Sequence, residues 1–392
     1  MQLHRVCEAV ATRSNPDSFR ENIDMNLNYK YRMYPNKAQA NELESIIETH
    51  RRLWNYALAE REDHYKTTGK SLSYFTQTKN LTQRRKSDEY LSKCNARSLN
   101  LTLRRLEKAF AAFFRRLKEG EKKAGYPRFK ARGELTSFAI INGNGCKVVS
   151  GDKLSVTGVG MIKVKWHRSL PDDSVVKQVV ISKEGSKWYS CFLIETAGNN
   201  HVKPCGTGEV GVDLGLETFA TTSDGESLGT SRNLEGCIKR IKSLQRKKSR
   251  CKRGSARRRK LGNQIASIHA SVKNRRSDTH KKTASYLLDS YETVVVEDLN
   301  VAGMLKNKHL ARRISDAGWA GFVSTLESQA ARRGGTVVRV NPAYTSQDCS
   351  SCGKRVKKPL SQRSHNCPYC GISLHRDHNA AKNILKKAAA VS

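Results

Sequence analysis

Acidic residues are scarce in this sequence. Only 36 Asp and Glu oppose 72 Lys and Arg, which leaves a formal net charge of +36 over 392 residues. An excess of this size is more than solubility requires, because it repels itself in a folded chain unless a polyanion lies on it. The charge therefore indicates a nucleic-acid partner, although charge alone leaves open a general basic protein of the ribosomal type.

Three further absences narrow the class of protein. The sequence has no run of 18 apolar residues, so we expect no membrane-spanning helix. It has no apolar segment near its start, so we expect no secretory signal. The eleven cysteines are an odd number, and only four of them form C-x-x-C pairs. That pattern indicates a reducing cytoplasm and one metal site, not a disulfide framework.

The length of 392 residues predicts two to three domains, and the 37% of residues that are hydrophobic are enough to build folded cores. Residues 25–35 alternate like a half-buried strand, and residues 125–204 contain short strands separated by glycine turns. We expect these two segments to form one small β-barrel. Amphipathic helices in residues 36–124 are then an insertion into it. Residues 1–24 show no clear period, and we treat them as an N-terminal extension of unknown role.

From residue 205 onward, after a polar linker, the pattern becomes that of an α/β domain. Two apolar runs, residues 210–215 and 291–297, predict buried strands, and residues 218–222 predict a hairpin partner for the first. The remaining predicted elements are a helix at 318–333, a strand at 336–340 and a last helix at 377–387.

A long helical region, residues 233–290, carries the densest positive charge. No Asp or Glu occurs between Ile238 and Ser277, and thirteen of the 22 residues from Lys239 to Lys260 are basic. A solvated helical hairpin is one interpretation, but a surface that follows a phosphate backbone explains the density better. The candidate phosphate contacts are Arg246, Lys247, Lys248, Arg257, Arg258 and Arg259.

Four cysteines near the C-terminus have the spacing of a zinc ribbon. Cys349 and Cys352 form one C-x-x-C-G knuckle, Cys367 and Cys370 form the second, and 14 residues separate the two. A thiol-redox pair is the alternative, but two such knuckles at this separation favour zinc. Four thiolates fill the tetrahedral coordination of Zn²⁺, so we expect a structural site with no open position.

Three acidic residues lie at the ends of predicted elements in the α/β domain. Asp213 and Glu297 end the two apolar strands, and Asp377 begins the last helix. Each alone could cap a turn or balance a helix dipole. Together they can meet at one edge of the sheet. A carboxylate cluster there can hold two Mg²⁺ or Mn²⁺ ions about 4 Å apart and support phosphodiester hydrolysis.

The ordered set of motifs resembles the TnpB family, the RNA-guided nucleases that insertion sequences encode and that are related to type V CRISPR effectors. The motifs are G-V-D-L-G from Gly211, V-V-V-E-D-L from Val294, S-D-A-G-W from Ser315, the two cysteine knuckles, and H-R-D-H-N-A-A-K-N-I from His375. The resemblance covers residues 26–387. One departure is His375, where many members of the family carry Asp, but none of the three carboxylates is lost by it.

The resemblance implies a fold and a catalytic triad. It implies an α/β, RNase H-like (RuvC) nuclease domain at residues 205–392 with a zinc-ribbon insertion at 344–374. It also implies that the barrel is a wedge domain and that its helical insertion is a recognition domain. Asp213, Glu297 and Asp377 would be the metal-binding catalytic triad.

The resemblance also points to candidate nucleic-acid contacts. Tyr74 matches a position that reads DNA beside the target, and Asn95, Arg97 and Asn100 are neighbouring candidates. Asn and Arg can form paired hydrogen bonds with adenine and guanine edges, but helix capping or phosphate contact is the alternative. Arg376, next to Asp377, is a candidate phosphate contact.

We therefore expect an RNA-guided DNA endonuclease. Its partners would be a guide RNA and double-stranded target DNA, without a membrane, in a ribonucleoprotein that contains one copy of the chain. Its cofactors would be two Mg²⁺ or Mn²⁺ ions, one structural Zn²⁺ and the guide RNA. Base pairing supplies specificity next to a short flanking motif.

Three alternatives stay open: a compact type V CRISPR effector, an RNA-guided repressor that binds DNA without cleavage, and a transposase. The filled triad positions weigh against the repressor. The transposase lacks support because the sequence shows no separate DNA-binding module.

Overall fold

The computed structural model describes residues 24–121, 123–149, 152–172, 174–197, 203–230, 232–359 and 362–389. The described residues form two compact units, one within Met1–Lys183 and Lys187–Gly198, the other within Glu184–Ser186 and Asn199–Ser392. The predicted extension, residues 1–24, lies outside the described residues except for Asp24. Among the described helices, none combines the length and apolar character needed to cross a bilayer.

The first unit contains a closed seven-stranded barrel with the strand order β1-β5-β4-β3-β2-β6-β7. Its strands are β1 (Asp24–Tyr34), β2 (Ser137–Asn142), β3 (Gly145–Val149), β4 (Lys153–Val156), β5 (Gly160–Lys165), β6 (Val175–Glu184) and β7 (Lys187–Ala197). β1 closes the barrel because it pairs antiparallel with both β5 and β7. Its alternation buries Tyr31 and Met33 completely. The predicted barrel, completed by the N-terminal strand, is confirmed.

Four helices lie between β1 and β2 in the chain. They are α1 (Lys37–Thr68), α2 (Tyr74–Arg84), α3 (Glu89–Lys93) and α4 (Ala96–Lys118). Asn36 and Gln39 form a capping box at the start of α1, which satisfies backbone donors that the helix cannot. The buried face of α4, with Leu99, Leu103 and Leu106, belongs to the same apolar core as the barrel interior.

The second unit is organised around a five-stranded sheet in the order β10-β9-β8-β11-β12. Its strands are β8 (Glu209–Leu214), β9 (Thr218–Thr222), β10 (Ser227–Thr230), β11 (Thr293–Glu297) and β12 (Thr336–Val340). β8, β11 and β12 are parallel, and β9 and β10 add an antiparallel meander beside β8. The predicted α/β class is confirmed, and β10 is a strand that the sequence did not predict.

Helices surround this sheet. They are α5 (Ile238–Ser249), α6 (Ala256–Ser290), α7 (Val301–Met304), α8 (Ala311–Ala317), α9 (Trp319–Arg333) and α10 (Arg376–Ala389), with a short 3-10 helix at Glu235–Cys237. The basic region is a hairpin of α5 and α6. Gly254 turns the chain at a left-handed φ of 83°, and the Ser255 side chain caps α6. A two-stranded hairpin, β13 (Ser364–Asn366) and β14 (Ser373–His375), precedes α10.

Candidate active site and cysteine cluster

Parallel pairing of β8 and β11 brings two of the predicted carboxylates to one edge of the sheet. Val212 and Val296 are direct partners across the two strands, so Asp213 and Glu297 follow them as neighbours. The two valines face the apolar core. Because side chains alternate along a strand, Asp213 and Glu297 point to the opposite face, where α10 packs.

The third carboxylate reaches this edge because α10 lies very close to β8. A Cβ built on Gly211 would come within 2.2 Å of the Ala381 carbonyl oxygen and 2.7 Å of the Leu385 amide nitrogen. Only a residue without a side chain allows this approach. Asp377, in the first turn of α10, is thereby held near the strand end and is 9% exposed.

The electrostatics indicate that the three carboxylates interact. Burial raises the pKa of Asp213 well above its usual value, and the charges of Glu297 and Asp377 raise it further. The positive charges of Arg376 and Arg363 oppose this rise but do not cancel it. Burial also raises the pKa of Glu297. Crowded carboxylates of this kind gain from a cation that neutralises them, and hard oxygen ligands suit Mg²⁺ or Mn²⁺. The donor set therefore fits divalent ions.

Two cationic side chains border the carboxylates. Arg363 lies 3.0 Å from Glu217 and 3.8 Å from Asp377, and it is partly exposed. The predicted Arg376 lies beside it, since its amide nitrogen donates to the Arg363 carbonyl oxygen. His375 accepts a 3.3 Å hydrogen bond from the Asp377 amide and is about half exposed. Sequence reasoning missed Arg363, because no spacing rule links it to Asp377.

The four cysteines form one cluster with metal-binding geometry. All four sulfur atoms lie within 4.8 Å of one another, and two of the pairs are 3.6 Å apart. A tetrahedron with zinc–sulfur bonds of 2.3 Å has edges of about 3.8 Å, which agrees with these distances. Gly353 and Gly371 adopt left-handed conformations, so the amides of Lys354 and Ile372 reach Cys352 and Cys370.

The cluster is attached to α10 by side-chain amides. Asn379 accepts a hydrogen bond from the Ser350 amide at 2.9 Å and donates to the Asp348 carbonyl oxygen at 2.8 Å. Asn383 donates to the Thr345 and Asp348 carbonyl oxygens. The two asparagines are four residues apart and share a helix face, a spacing that could have identified them in the sequence.

Several predicted nucleic-acid contacts in the first unit have structural roles. Asn95 caps α4 by accepting from the Ser98 amide, and its amide group donates to Asn144. The Arg104 guanidinium stacks 4.1 Å from the Tyr74 ring centroid. Arg97 is exposed and Asn100 is half-buried. The capping alternative therefore applies to Asn95, whereas Arg97 is available to a ligand.

The basic hairpin separates into structural and solvent-facing side chains. Arg258 donates to the Lys248 and Cys251 carbonyl oxygens and so ties the two helices together. Lys248 is half-buried. The remaining predicted contacts are exposed, namely Arg246, Lys247, Arg257 and Arg259.

Three family models match the chain. They are described as "Cas12f1-like, TNB domain" at residues 319–384, "Probable transposase" at 191–308 and "Helix-turn-helix domain" at 25–70. In the structure, the third segment is β1 followed by the single long helix α1.

Sequence relatives match nearly the whole chain. A "Putative RNA-guided DNA endonuclease" from Streptomyces pristinaespiralis is 33% identical over 93% of this chain and 90% of its own length. A "Putative RNA-guided DNA endonuclease InsQ" from Escherichia coli strain K12 is 30% identical over 93% and 92%.

The fold is similar to that of a solved Cas12f1 chain. The structure described as "Cryo-EM structure of the Cas12f1-sgRNA-target DNA complex" matches 92% of this chain and 98% of its own, with a TM-score of 0.55 and 12% identity. Architecture and sequence thus define a Cas12f-like fold. Within that class, the chain belongs to the TnpB family.

Proposed function

We propose that this protein is an RNA-guided DNA endonuclease. The observation that carries the proposal is the placement of Asp213, Glu297 and Asp377 at one edge of the sheet, where the charges of Glu297 and Asp377 help to raise the pKa of Asp213 and a cation would relieve this repulsion. The relatives that match over more than nine-tenths of the chain bear that name. Fold likeness alone would not support a function, because one fold serves many activities.

We assign residues 205–392 to a RuvC-like nuclease domain of the RNase H type. Its support is the sheet order, in which a three-stranded meander is extended by two parallel strands beside β8. We assign residues 25–35 and 125–204 to a wedge barrel and 36–124 to a recognition domain. Residues 344–374 are the zinc-ribbon insertion. The S–S distances and the two glycine turns support Zn²⁺ as its metal.

Asp213, Glu297 and Asp377 would hold the divalent ions. Ions held there would supply an activated water for attack on a phosphodiester and would neutralise charge on the leaving oxygen. Arg363 and Arg376 border the carboxylates and orient the incoming phosphate, because a guanidinium can donate two hydrogen bonds to phosphate oxygens. We propose that cleavage leaves 5′-phosphate ends, as the resemblance to the family implies.

The guide RNA and the target supply the remaining parts. The exposed arginines and lysines of the α5–α6 hairpin contact phosphates. Pairing between guide and one DNA strand sets the target, and the protein reads a short motif beside it. None of the cysteines among the described residues forms a disulfide, and we propose the reducing cytoplasm of a prokaryotic cell as the protein's location. We propose one copy of the chain in each ribonucleoprotein.

The test is guided cleavage by the full chain, purified from cells that carry its natural flanking sequence. The copurified RNA is sequenced, and DNA that matches its variable end is placed beside a randomised flank. We expect Mg²⁺-dependent cuts in matched DNA only. Cleavage by protein that carries no RNA would contradict an RNA-guided mechanism. Binding of matched DNA without cleavage would favour an RNA-guided repressor.

A further inference from the structure

One buried hydroxyl group joins a candidate catalytic carboxylate to the cysteine cluster. Thr345 is 2% exposed, and its hydroxyl donates to the Glu297 Oε1 atom at 2.5 Å. Glu297 is itself 8% exposed, so water has little access to this bond. The hydrogen bond fixes the rotation of the Glu297 carboxylate, because separating a buried donor from a charged acceptor costs free energy.

The backbone of Thr345 is held from the other side by α10. Asn383 Nδ2 donates to the Thr345 carbonyl oxygen at 2.8 Å and to the Asp348 carbonyl oxygen at 2.6 Å. Asn379, fully buried, donates to the same Asp348 oxygen. The helix that carries Asp377 in its first turn therefore also fixes the residue that orients Glu297.

The preceding residue has a conformation that requires support. Tyr344 has a φ of +66°, and among the described residues it is the one position other than glycine with a positive φ. A bulky side chain adopts this conformation only where its surroundings enforce it. The Arg355 guanidinium lies 3.3 Å from the Tyr344 ring centroid and pairs with Asp348 at 2.8 Å.

The same short segment continues directly into the cysteine cluster. Cys349 follows Asp348, and the Cys349 amide donates to the Lys354 carbonyl oxygen within the first knuckle. The Ser350 amide is held by Asn379. A metal in the cluster therefore restrains the C-terminal end of the segment that carries Thr345, and Asn383 of α10 holds Thr345 itself.

We propose that Thr345 is a positioning residue for Glu297, and that the cysteine knuckle holds Thr345 in place. The inference rests on the proposed function, since it takes Glu297 to be a ligand of the divalent ions. Groups that hydrogen-bond to a ligand orient it and tune its affinity for the metal.

The test compares divalent-ion affinity in variants of the ribonucleoprotein. Thr345→Val removes the hydroxyl at nearly constant shape, and Thr345→Ser keeps it. The control is Thr49→Val, at a buried threonine of the first unit whose hydroxyl donates to the Ser45 carbonyl oxygen of its own helix. Mn²⁺ binding is followed by electron paramagnetic resonance, with zinc content and melting temperature measured on the same samples.

We expect Thr345→Val to weaken Mn²⁺ binding by about 10- to 100-fold. The Mg²⁺ concentration for half-maximal cleavage should rise in parallel. Thr345→Ser and Thr49→Val should bind Mn²⁺ like the unchanged protein. Wild-type Mn²⁺ affinity in Thr345→Val would overturn the proposal, as would equal defects in the Val and Ser variants.

A double-mutant cycle keeps the test valid if Thr345→Val also lowers stability. Thr345→Val should add no further loss of Mn²⁺ affinity to Glu297→Gln, because the hydroxyl acts through that carboxylate. An equal loss in both backgrounds would show a general structural effect and overturn the proposal. Asp213→Asn separates the two proposals: if it leaves Mn²⁺ binding unchanged, the proposed active site fails, whatever Thr345 does.

Discussion

The carbonyl oxygen of Ala381 occupies the space that a side chain on Gly211 would need, only 2.2 Å from the expected Cβ position. This contact brings Asp377 of α10 to the strand that carries Asp213. The geometry of the proposed active site thus depends on a glycine whose own φ is not left-handed. Its role is close packing, two residues before the carboxylate on the same face of β8.

Replacing Gly211 with Ala should separate α10 from β8. Because backbone atoms cannot move aside as a flexible side chain can, we expect a loss of about 2 to 4 kcal/mol in the free energy of unfolding and loss of cleavage. Gly262→Ala is the matched control, since its Cβ would meet only the end of Lys248 at 3.5 Å. It should be neutral or slightly stabilising. Equal melting curves for both variants would contradict the packing argument.

The crowded carboxylates predict a pH-dependent stability. The folded-state pKa of Asp213 is raised, so the native state holds its proton to higher pH than the unfolded chain does. Its contribution to stability is therefore present below the unfolded pKa and is lost as pH rises through the folded pKa.

Asp213→Asn should remove this loss. At pH 7.5 without divalent ions, we expect the variant to have the larger free energy of unfolding, and the difference should vanish below the pKa of the unfolded Asp213. Added Mg²⁺ should stabilise the unchanged protein more than the variant. Asp278→Asn, at an exposed helix position paired with Lys282, serves as control. A variant less stable at pH 7.5 would refute the predicted repulsion.

The cysteine cluster predicts a metal requirement for local folding. Cys349→Ser combined with Cys352→Ser should abolish the bound zinc, measured by mass spectrometry at one ion per chain in the unchanged protein. The melting temperature should fall, because metal binding at such sites contributes folding free energy. Cys251→Ser, on the basic hairpin, should leave both quantities unchanged. Retained zinc in the double variant would mean that other ligands hold the metal.

The basic hairpin predicts a salt-dependent affinity for RNA. Replacing Arg257 and Arg259 with Gln should weaken RNA binding and reduce the slope of log K against log salt by about 1.4 to 1.8, for two phosphate contacts. The melting temperature of this double variant should not change, since Arg257 and Arg259 are both exposed. Arg258→Gln should instead lower the melting temperature, because Arg258 ties the two helices together. Equal salt slopes in the double variant and the unchanged protein would show that Arg257 and Arg259 of the hairpin do not contact RNA phosphates.

The sequence predicted the elements whose pattern is local. The apolar runs ending at Asp213 and Glu297 had the length and flanks of buried strands, and the structure has β8 and β11 there. The cysteine spacing predicted a cluster that the sulfur distances bear out. The short strand β10 (Ser227–Thr230) was missed because it has no apolar alternation, and its pairing with β9 defines it.

Contacts between distant residues could not be predicted in the same way. Thr345 and Glu297 are 48 residues apart, and nothing in either local pattern links a hydroxyl to that carboxylate. Arg363 meets Glu217 only after the sheet and the ribbon hairpin have formed. The turn between α5 and α6, by contrast, has local signals in the sequence. Gly254 is a turn residue and Ser255 is a helix cap, and both lie within the segment predicted as one helical region.

The most direct measurement is cleavage of guide-matched DNA by ribonucleoproteins with Asp213→Ala, Glu297→Ala or Asp377→Ala, alongside binding of the same DNA. The account predicts that each variant binds RNA and matched DNA but that its cleavage rate falls by at least about 10³-fold. A variant that cuts matched DNA at the unchanged rate would remove that carboxylate from the active site and contradict the central claim.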